Sequence, residues 1–344
     1  MRNRKIGLLV LAVAMVLAGL RAGWCDLLIN GAGATFPYPI YSKWFDVYAK
    51  NNPGIHINYQ SIGSGGGIRM LSQKTVDIGA SDAPMTDDQM KSAPAKVLHF
   101  PSVMGAVVIA YNLTGVKSGL KLTGPVVADI FMGKITKWND PAIAKLNPGI
   151  TLPADDITPC HRSDGSGTTY IFADYMSKVS PEWAKGMGKS TSLKWNGGYG
   201  GKGNEGVTAM VQQTPGAIGY IELIYALNNN IAFADLQNRD GKWITASLEG
   251  VTAAAAATAS EMPADFRVSI TDAPGASSYP ISSFTWILVY QQQTDKEKGA
   301  QIVSFLKWAL HDGQQYVSAL KYAPLPAQVV QLEDKQIEQI QLTK

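Results

Sequence analysis

Cysteine is almost missing from this chain: Cys25 and Cys160 are the only two in 344 residues. Two cysteines build no disulfide framework, so the fold must be held by its core. Histidine is nearly as scarce, and His56, His99, His161 and His311 are scattered without metal-ligand spacing. No zinc or haem pattern is present, and no metal or cofactor is expected. A net charge of +3 is too small to argue for nucleic acid. Nucleophile motifs are missing as well. No serine sits in G-x-S-x-G, because Asp164 stands two before Ser166 and Ile62 two before Ser64. Gly198–Gly203 fits G-x-G-x-x-G, with Glu222 nineteen residues on. The segment before it, Ser190–Trp195, is too short and polar to be the hydrophobic first strand of a dinucleotide site. Gly188-Lys189-Ser190 resembles the end of a phosphate loop, but Trp183 occupies the place of its first glycine. No long-period repeat is visible.

What is present describes a globular protein, 46% hydrophobic and 17% charged, long enough for two domains. Arg2, Arg4 and Lys5 precede an uncharged apolar run, Ile6–Leu20, that is short for a membrane span and is followed by polar chain. Residues 1–25 therefore read as a signal peptide, cleaved after Ala22 or after Cys25, with an uncleaved anchor as the alternative. Trp24 argues against a lipid anchor on Cys25. The mature chain is expected to be exported and soluble, with Cys160 a packed thiol.

Strands and helices alternate. Ile40, Tyr41, Trp44, Phe45 and Tyr48 recur at helical spacing, and Asn51-Asn52-Pro53-Gly54 ends that helix. Ile55–Gln60 reads as a strand, Ile68–Lys74 as a helix, Val76–Ala80 as a strand and Thr86–Lys91 as a helix. Val103–Tyr111 and Ile281–Tyr290 are apolar enough to be buried on both faces. Asn112–Gly124 is a turn-rich crossing. Further on, Ile157–Cys160 and Ala217–Glu222 read as strands, Val207–Gln213 and Lys296–Leu310 as helices, and Val251–Ser260 as an alanine-rich helix or tether. The pattern is α/β.

The most informative stretch is His161–Tyr170, H-R-S-D-G-S-G-T-T-Y, ahead of a helix over Ile171–Lys178. Helix starts leave N–H groups unpaired and favour anions. Glycines admit close approach, Ser166, Thr168 and Thr169 add neutral donors, and Arg162 adds a planar fork. Taken alone it is equally well a capped helix behind a turn. Three other junctions carry similar equipment: Gly33–Phe36, Gly63–Gly67 and Gly79–Asp82. Converging, they would make a donor-rich cradle for a small oxyanion beyond the carboxyl ends of the strands. Asp82 is the odd member. A carboxylate repels a fully ionised anion but accepts a hydrogen bond from one that keeps a proton, which favours phosphate over sulfate.

In this order, G-A-G-A-T-F-P, I-G-S-G-G-G, G-A-S-D-A-P, G-K-I-T-K-W-N-D, R-S-D-G-S-G-T and G-A-I-G-Y-I-E closely resemble the PstS family, the periplasmic phosphate-binding proteins of ABC-type phosphate importers. The resemblance spans essentially the whole mature chain. It implies a two-lobed, type II-like periplasmic binding protein, each lobe a mixed sheet flanked by helices, with phosphate in the cleft. It further implies hinge closure, with lobe I from residues 26–111 plus 279–344 and lobe II from 112–278. The implied contacts are Thr35, Phe36 through its N–H, Ser64, Asp82, Arg162, Ser166, Gly167 and Thr168, with Asp164 holding Arg162. No catalysis and no cofactor are implied. The partners would be inorganic phosphate and a membrane permease with its cytoplasmic ATPase, the receptor itself a periplasmic monomer. Gly65 stands where the family carries a serine, and His161, where it often has another base, reads as a solvated flank, with pH-dependent attraction as the alternative. A serine phosphatase or phosphotransferase using Ser64 or Ser166, or a surface protein without a transport role, are the rival classes.

Overall fold

The computed structural model describes residues 26–343; the signal-peptide segment and Cys25 lie outside them. Strand β1 (Leu27–Gly33) leads into helix α1 (Tyr38–Asn51), and β2 (Ile55–Ser61) returns parallel to β1. Helix α1 buries Ile40, Tyr41, Trp44 and Tyr48, the apolar spacing read from the sequence, and Gly54 turns the chain at φ 90°. Helix α2 (Ser64–Ser72) follows, then β3 (Ile78–Ser81), which pairs with β1.

The sequence places the start of this helix at Ile68, after a glycine-rich junction, whereas the glycine run itself forms the first turn of α2. Three glycines there cost roughly 0.5–1 kcal/mol each in helix propensity. Packing explains the choice, because a Cβ on Gly67 would stand 2.6 Å from the Cα of Gly33. Only a bare backbone lets α2 lie this close to β1.

Strand β4 (Val97–Tyr111) is the spine of the molecule, buried along its whole length. It starts six residues earlier than Val103, where apolar patterning alone placed it, because His99, Pro101 and Ser102 are also buried inside it. Beyond it come β5 (Thr158–Arg162), helix α3 (Gly167–Val179), β6 (Tyr199–Gly201), helix α4 (Gly203–Gln213), β7 (Ala217–Glu222), β8 (Ser282–Tyr290), helix α5 (Lys296–Leu310) and helix α6 (Ala327–Ile337). The sheet runs β2-β1-β3-β8-β4-β7-β5-β6, with the short strand Ala232–Phe233 also on β4. Val97–Ala106 of β4 pairs antiparallel with β8, whereas Val107–Tyr111 pairs antiparallel with β7. One strand therefore serves both halves of a mixed sheet.

The pairing of β8 with β4 slips between Thr285 and Trp286, which face Val103 and Pro101. Proline has no N–H for the ladder, so a bulge at Ser102 is the natural accommodation. The Ser102 hydroxyl lies 2.7 Å from Tyr41 Oη and donates to the Thr285 carbonyl at 3.1 Å. Among the described residues no helix is long and apolar enough to cross a membrane.

Candidate ligand-binding site

The carboxyl ends of β1, β2, β3 and β5 meet at one place. Thr35 and Phe36 follow β1, Ser64 opens α2 after β2, and Asp82 follows β3. Arg162 ends β5, and Ser166 caps α3 with its Oγ accepting from Thr169 N–H at 3.0 Å. Thr35, Phe36, Ser64, Asp82, Arg162, Ser166 and Thr168 are all buried. Within the described chain the N–H groups of Phe36, Ser64, Gly167 and Thr168 have no backbone or side-chain acceptor. Buried unpaired donors are rare in folded proteins, and four together mark a place built for an acceptor.

Arg162 is fixed from behind. Its Nε and Nη2 donate to Asp164 Oδ1 and Oδ2 at 2.8 and 2.5 Å, and Nη1 donates to Thr168 Oγ1 at 3.3 Å. That leaves two of its five N–H donors. Asp164 Oδ1 also accepts from Gly203 N–H at 3.0 Å. Burial raises the Asp164 pKa, but the hydrogen bonds and charge of Arg162, with the Gly203 amide, outweigh it and hold the carboxyl below its ordinary value. Asp164 is thus ionised and Arg162 is locked in a planar, bidentate pair.

Asp82 has a different environment. Burial pushes its pKa up to about 7, against the pull of the Thr285 hydroxyl, the Arg162 charge and Ser64. Oδ1 accepts from Thr285 Oγ1 at 2.8 Å, and the Asp82 N–H donates to Ser64 Oγ at 3.0 Å. The carboxylate lies against the first turn of α3: a Cβ on Gly167 would be 2.6 Å from Asp82 Oδ2. Glycine at 167 is what allows a strand end of one half to touch a helix start of the other. Gly65 N–H, at the start of α2, likewise donates to the Gly165 carbonyl, just ahead of α3, at 2.9 Å.

The structure therefore gathers these positions in one buried cluster at the strand ends, and it adds residues the sequence did not single out. Thr285 comes from β8. Asn204, at the start of α4, donates from Nδ2 to Thr35 Oγ1 at 2.8 Å and to Thr168 Oγ1 at 3.1 Å. Tyr225 Oη and Tyr322 Oη each donate at 2.6 Å, to the carbonyls of Thr35 and Phe36, pinning that loop. The only signal for Asn204 was its place directly after the glycine-rich stretch weighed as a nucleotide fingerprint. His161 is not a solvated flank. Its ring is half-buried and stacked on Trp195, centroids 4.8 Å apart, and burial lowers its pKa. Cys160 is fully buried, and burial raises its thiol to about 11. Neither Ser64 nor Ser166 has a histidine among its hydrogen-bond partners.

A family model described as a PBP superfamily domain matches residues 22–312. The phosphate-binding protein PstS of Xylella fastidiosa strain 9a5c is 47% identical over 311 residues, covering 90% of this chain and 84% of that protein. The chain belongs to the PstS family. PstS of Haemophilus influenzae is 45% identical over 303 residues, covering 88% of this chain and 90% of that one. In fold, this PstS chain superposes on a high-affinity periplasmic phosphate-binding protein (PfluDING) bound with phosphate, TM-score 0.72, at 19% identity, covering 90% and 93% of the two chains. An ABC-type phosphate transport receptor from Vibrio cholerae gives a TM-score of 0.57 at 17% identity, over 87% of this chain and all of that one. PstS is a family of substrate-binding proteins rather than enzymes, which removes the phosphatase reading.

Proposed function

We propose that the protein is the extracytoplasmic receptor that binds inorganic phosphate and delivers it to the membrane permease of an ABC importer driven by a cytoplasmic ATPase. It works in the periplasm as a soluble monomer once the signal segment is removed. The observation that carries this reading is the pairing of opposites in one buried cluster: unpaired amides, alcohols and one guanidinium beside the buried carboxylate of Asp82. Phe36, Ser64, Gly167 and Thr168 offer N–H groups, Thr35, Ser64, Ser166 and Thr168 offer hydroxyls, and Arg162 offers its remaining fork. Asp82 accepts the proton that phosphate keeps at neutral pH. Sulfate has none to give, so the same carboxylate repels it. Excluding water strengthens each of these contacts.

Family membership supports an importer role, and the shared strand β4 supports two lobes, 26–111 with 279–344 and 112–278, that hinge about the long central strands. The test is equilibrium titration of the purified mature protein with phosphate, sulfate and arsenate. Tight phosphate binding with no detectable sulfate binding is expected. Asp82→Asn is expected to narrow that gap. A wild-type protein that binds sulfate as tightly as phosphate would refute the assignment of Asp82.

A further inference from the structure

Asn204 has no exposed surface and opens an eleven-residue helix. The orientation of its amide is settled by the backbone. Oδ1 accepts from Glu222 N–H at 2.9 Å, and a backbone N–H only donates. The opposite end of the amide is therefore Nδ2, with two protons. One goes to Thr35 Oγ1 at 2.8 Å and the other to Thr168 Oγ1 at 3.1 Å.

Each threonine hydroxyl has two lone pairs and one proton. Thr35 Oγ1 also accepts from the Asn204 N–H at 3.1 Å, so both of its lone pairs are filled. Thr168 Oγ1 also accepts from Arg162 Nη1 at 3.3 Å, so its lone pairs are filled too. Both hydroxyls are left with only a proton to offer. Thr35 sits after β1 in one half of the molecule and Thr168 in the first turn of α3 in the other, so one amide governs both.

We propose that Asn204 is the positioning residue of the phosphate site: it turns the Thr35 and Thr168 hydroxyls into obligate donors and thereby leaves the role of acceptor to Asp82. The inference rests on the reading that Thr35 and Thr168 contact phosphate. It deepens that reading, because specificity for one protonated oxygen then depends on a side chain that does not itself touch the anion. Without the Asn204 side chain each hydroxyl keeps one donor, the residue-204 N–H on Thr35 and Arg162 Nη1 on Thr168, but regains one lone pair that it can present in place of its proton, which weakens its hold on an ionised oxygen.

The test is a cycle of phosphate titrations on the mature protein: wild type, Asn204→Ala, the Thr35→Val/Thr168→Val pair, and all three changes together, with Arg162→Ala alongside. Asn204→Ala is expected to weaken phosphate binding about tenfold in the wild-type background and less than about twofold in the valine background, the size of one or two neutral hydrogen bonds acting through those hydroxyls. A full loss in both backgrounds would make Asn204 a packing residue and overturn the proposal. If Arg162→Ala and the valine pair both leave affinity unchanged, the site reading itself fails and the role of Asn204 falls with it.

Asn204→Asp supplies a readout that packing does not move. An acceptor at 204 draws the hydroxyl protons away from the ligand, so its affinity loss at pH 8 should exceed that of Asn204→Ala and shrink as the pH is lowered to 5.5. The charged or titratable groups around it are Asp82, Arg162, Asp164, Lys202, Glu205, Tyr220, Glu222 and Tyr225, and these are common to both variants. Parallel pH profiles for the two variants would count against hydroxyl direction as the mechanism.

Discussion

Thr285 donates its hydroxyl proton to Asp82 Oδ1 at 2.8 Å, joining positions 203 residues apart in the chain. The bond follows from the pairing of β8 with β3, where Trp286 lies opposite Ser81 in antiparallel register, so the next residues, Thr285 and Asp82, face each other. It lowers the Asp82 pKa against the larger, opposing effect of burial. Thr285→Val keeps the shape and removes the donor. The carboxyl should then move higher still and be mostly protonated at pH 7. A neutral carboxyl donates to sulfate instead of repelling it. The ratio of phosphate to sulfate affinity is expected to fall about tenfold, the worth of one pKa unit. Calorimetric titration with both anions measures it, and an unchanged ratio would remove Thr285 from the selectivity mechanism.

Much of the chamber was legible in the sequence because it is built from local motifs. Arg162, Ser166, Gly167 and Thr168 lie within seven positions that announce a helix start. Asp82 stood out as a lone acid at the end of an apolar strand. Thr285 and Asn204 were not legible for the opposite reason. Thr285 is a β-branched residue in an apolar strand, and its partner is set by the register of β8 against β3, a strand far away in the sequence. Asn204 lies just past a glycine cluster that nominally fits another ligand's motif, and its two partners come from opposite halves. The glycine-led start of α2 was hidden because propensity disfavours it and only the approach of Gly33 favours it.

Protonation of Asp82 should be visible in the stability of the ligand-free protein. Its folded pKa of about 7 lies above the 3.8 expected when unfolded. Between those values the folded state binds the extra proton, so this group's contribution is fully present below about pH 4 and is lost as pH rises through 7. The span corresponds to at most on the order of 4 kcal/mol. His99 acts the other way: burial lowers its pKa to about 4, and its contribution is lost as pH falls from 6.5 toward that value. The comparison must therefore be wild type against Asp82→Asn. In chemical denaturation from pH 8 to pH 5, wild type should gain on the variant steadily. A constant difference would place the Asp82 pKa outside that range.

Removal of the guanidinium should be felt twice. Arg162→Ala takes away charge-assisted hydrogen bonds worth about 1.5–3 kcal/mol, or about 10- to 150-fold in phosphate affinity. It also strands Asp164, which keeps the Gly203 N–H at 3.0 Å but loses both bonds from Arg162. A stranded carboxylate beside an anion site adds repulsion. The double change Arg162→Ala/Asp164→Asn should therefore bind phosphate better than Arg162→Ala alone. If the double variant is the weaker of the two, Asp164 does more in the cleft than hold the arginine.

Glu333, on α6, has no exposed surface, and neither carboxyl oxygen has a hydrogen-bond partner among the described residues. Burial pushes its pKa well above the ordinary glutamate value, with a smaller push from the neighbouring Asp334. A buried polar group without partners costs about 1–3 kcal/mol even when neutral. Glu333→Met fills similar space with an unbranched, adaptable side chain. It is expected to raise the melting temperature of the ligand-free protein by several degrees without changing phosphate affinity. The sign with pH also follows: because the folded pKa is raised, the contribution of Glu333 declines as pH rises through it, and the advantage of the methionine variant should widen in the same direction. A variant that melts below wild type at every pH would show that the carboxyl stabilises the packing of α6 against β4.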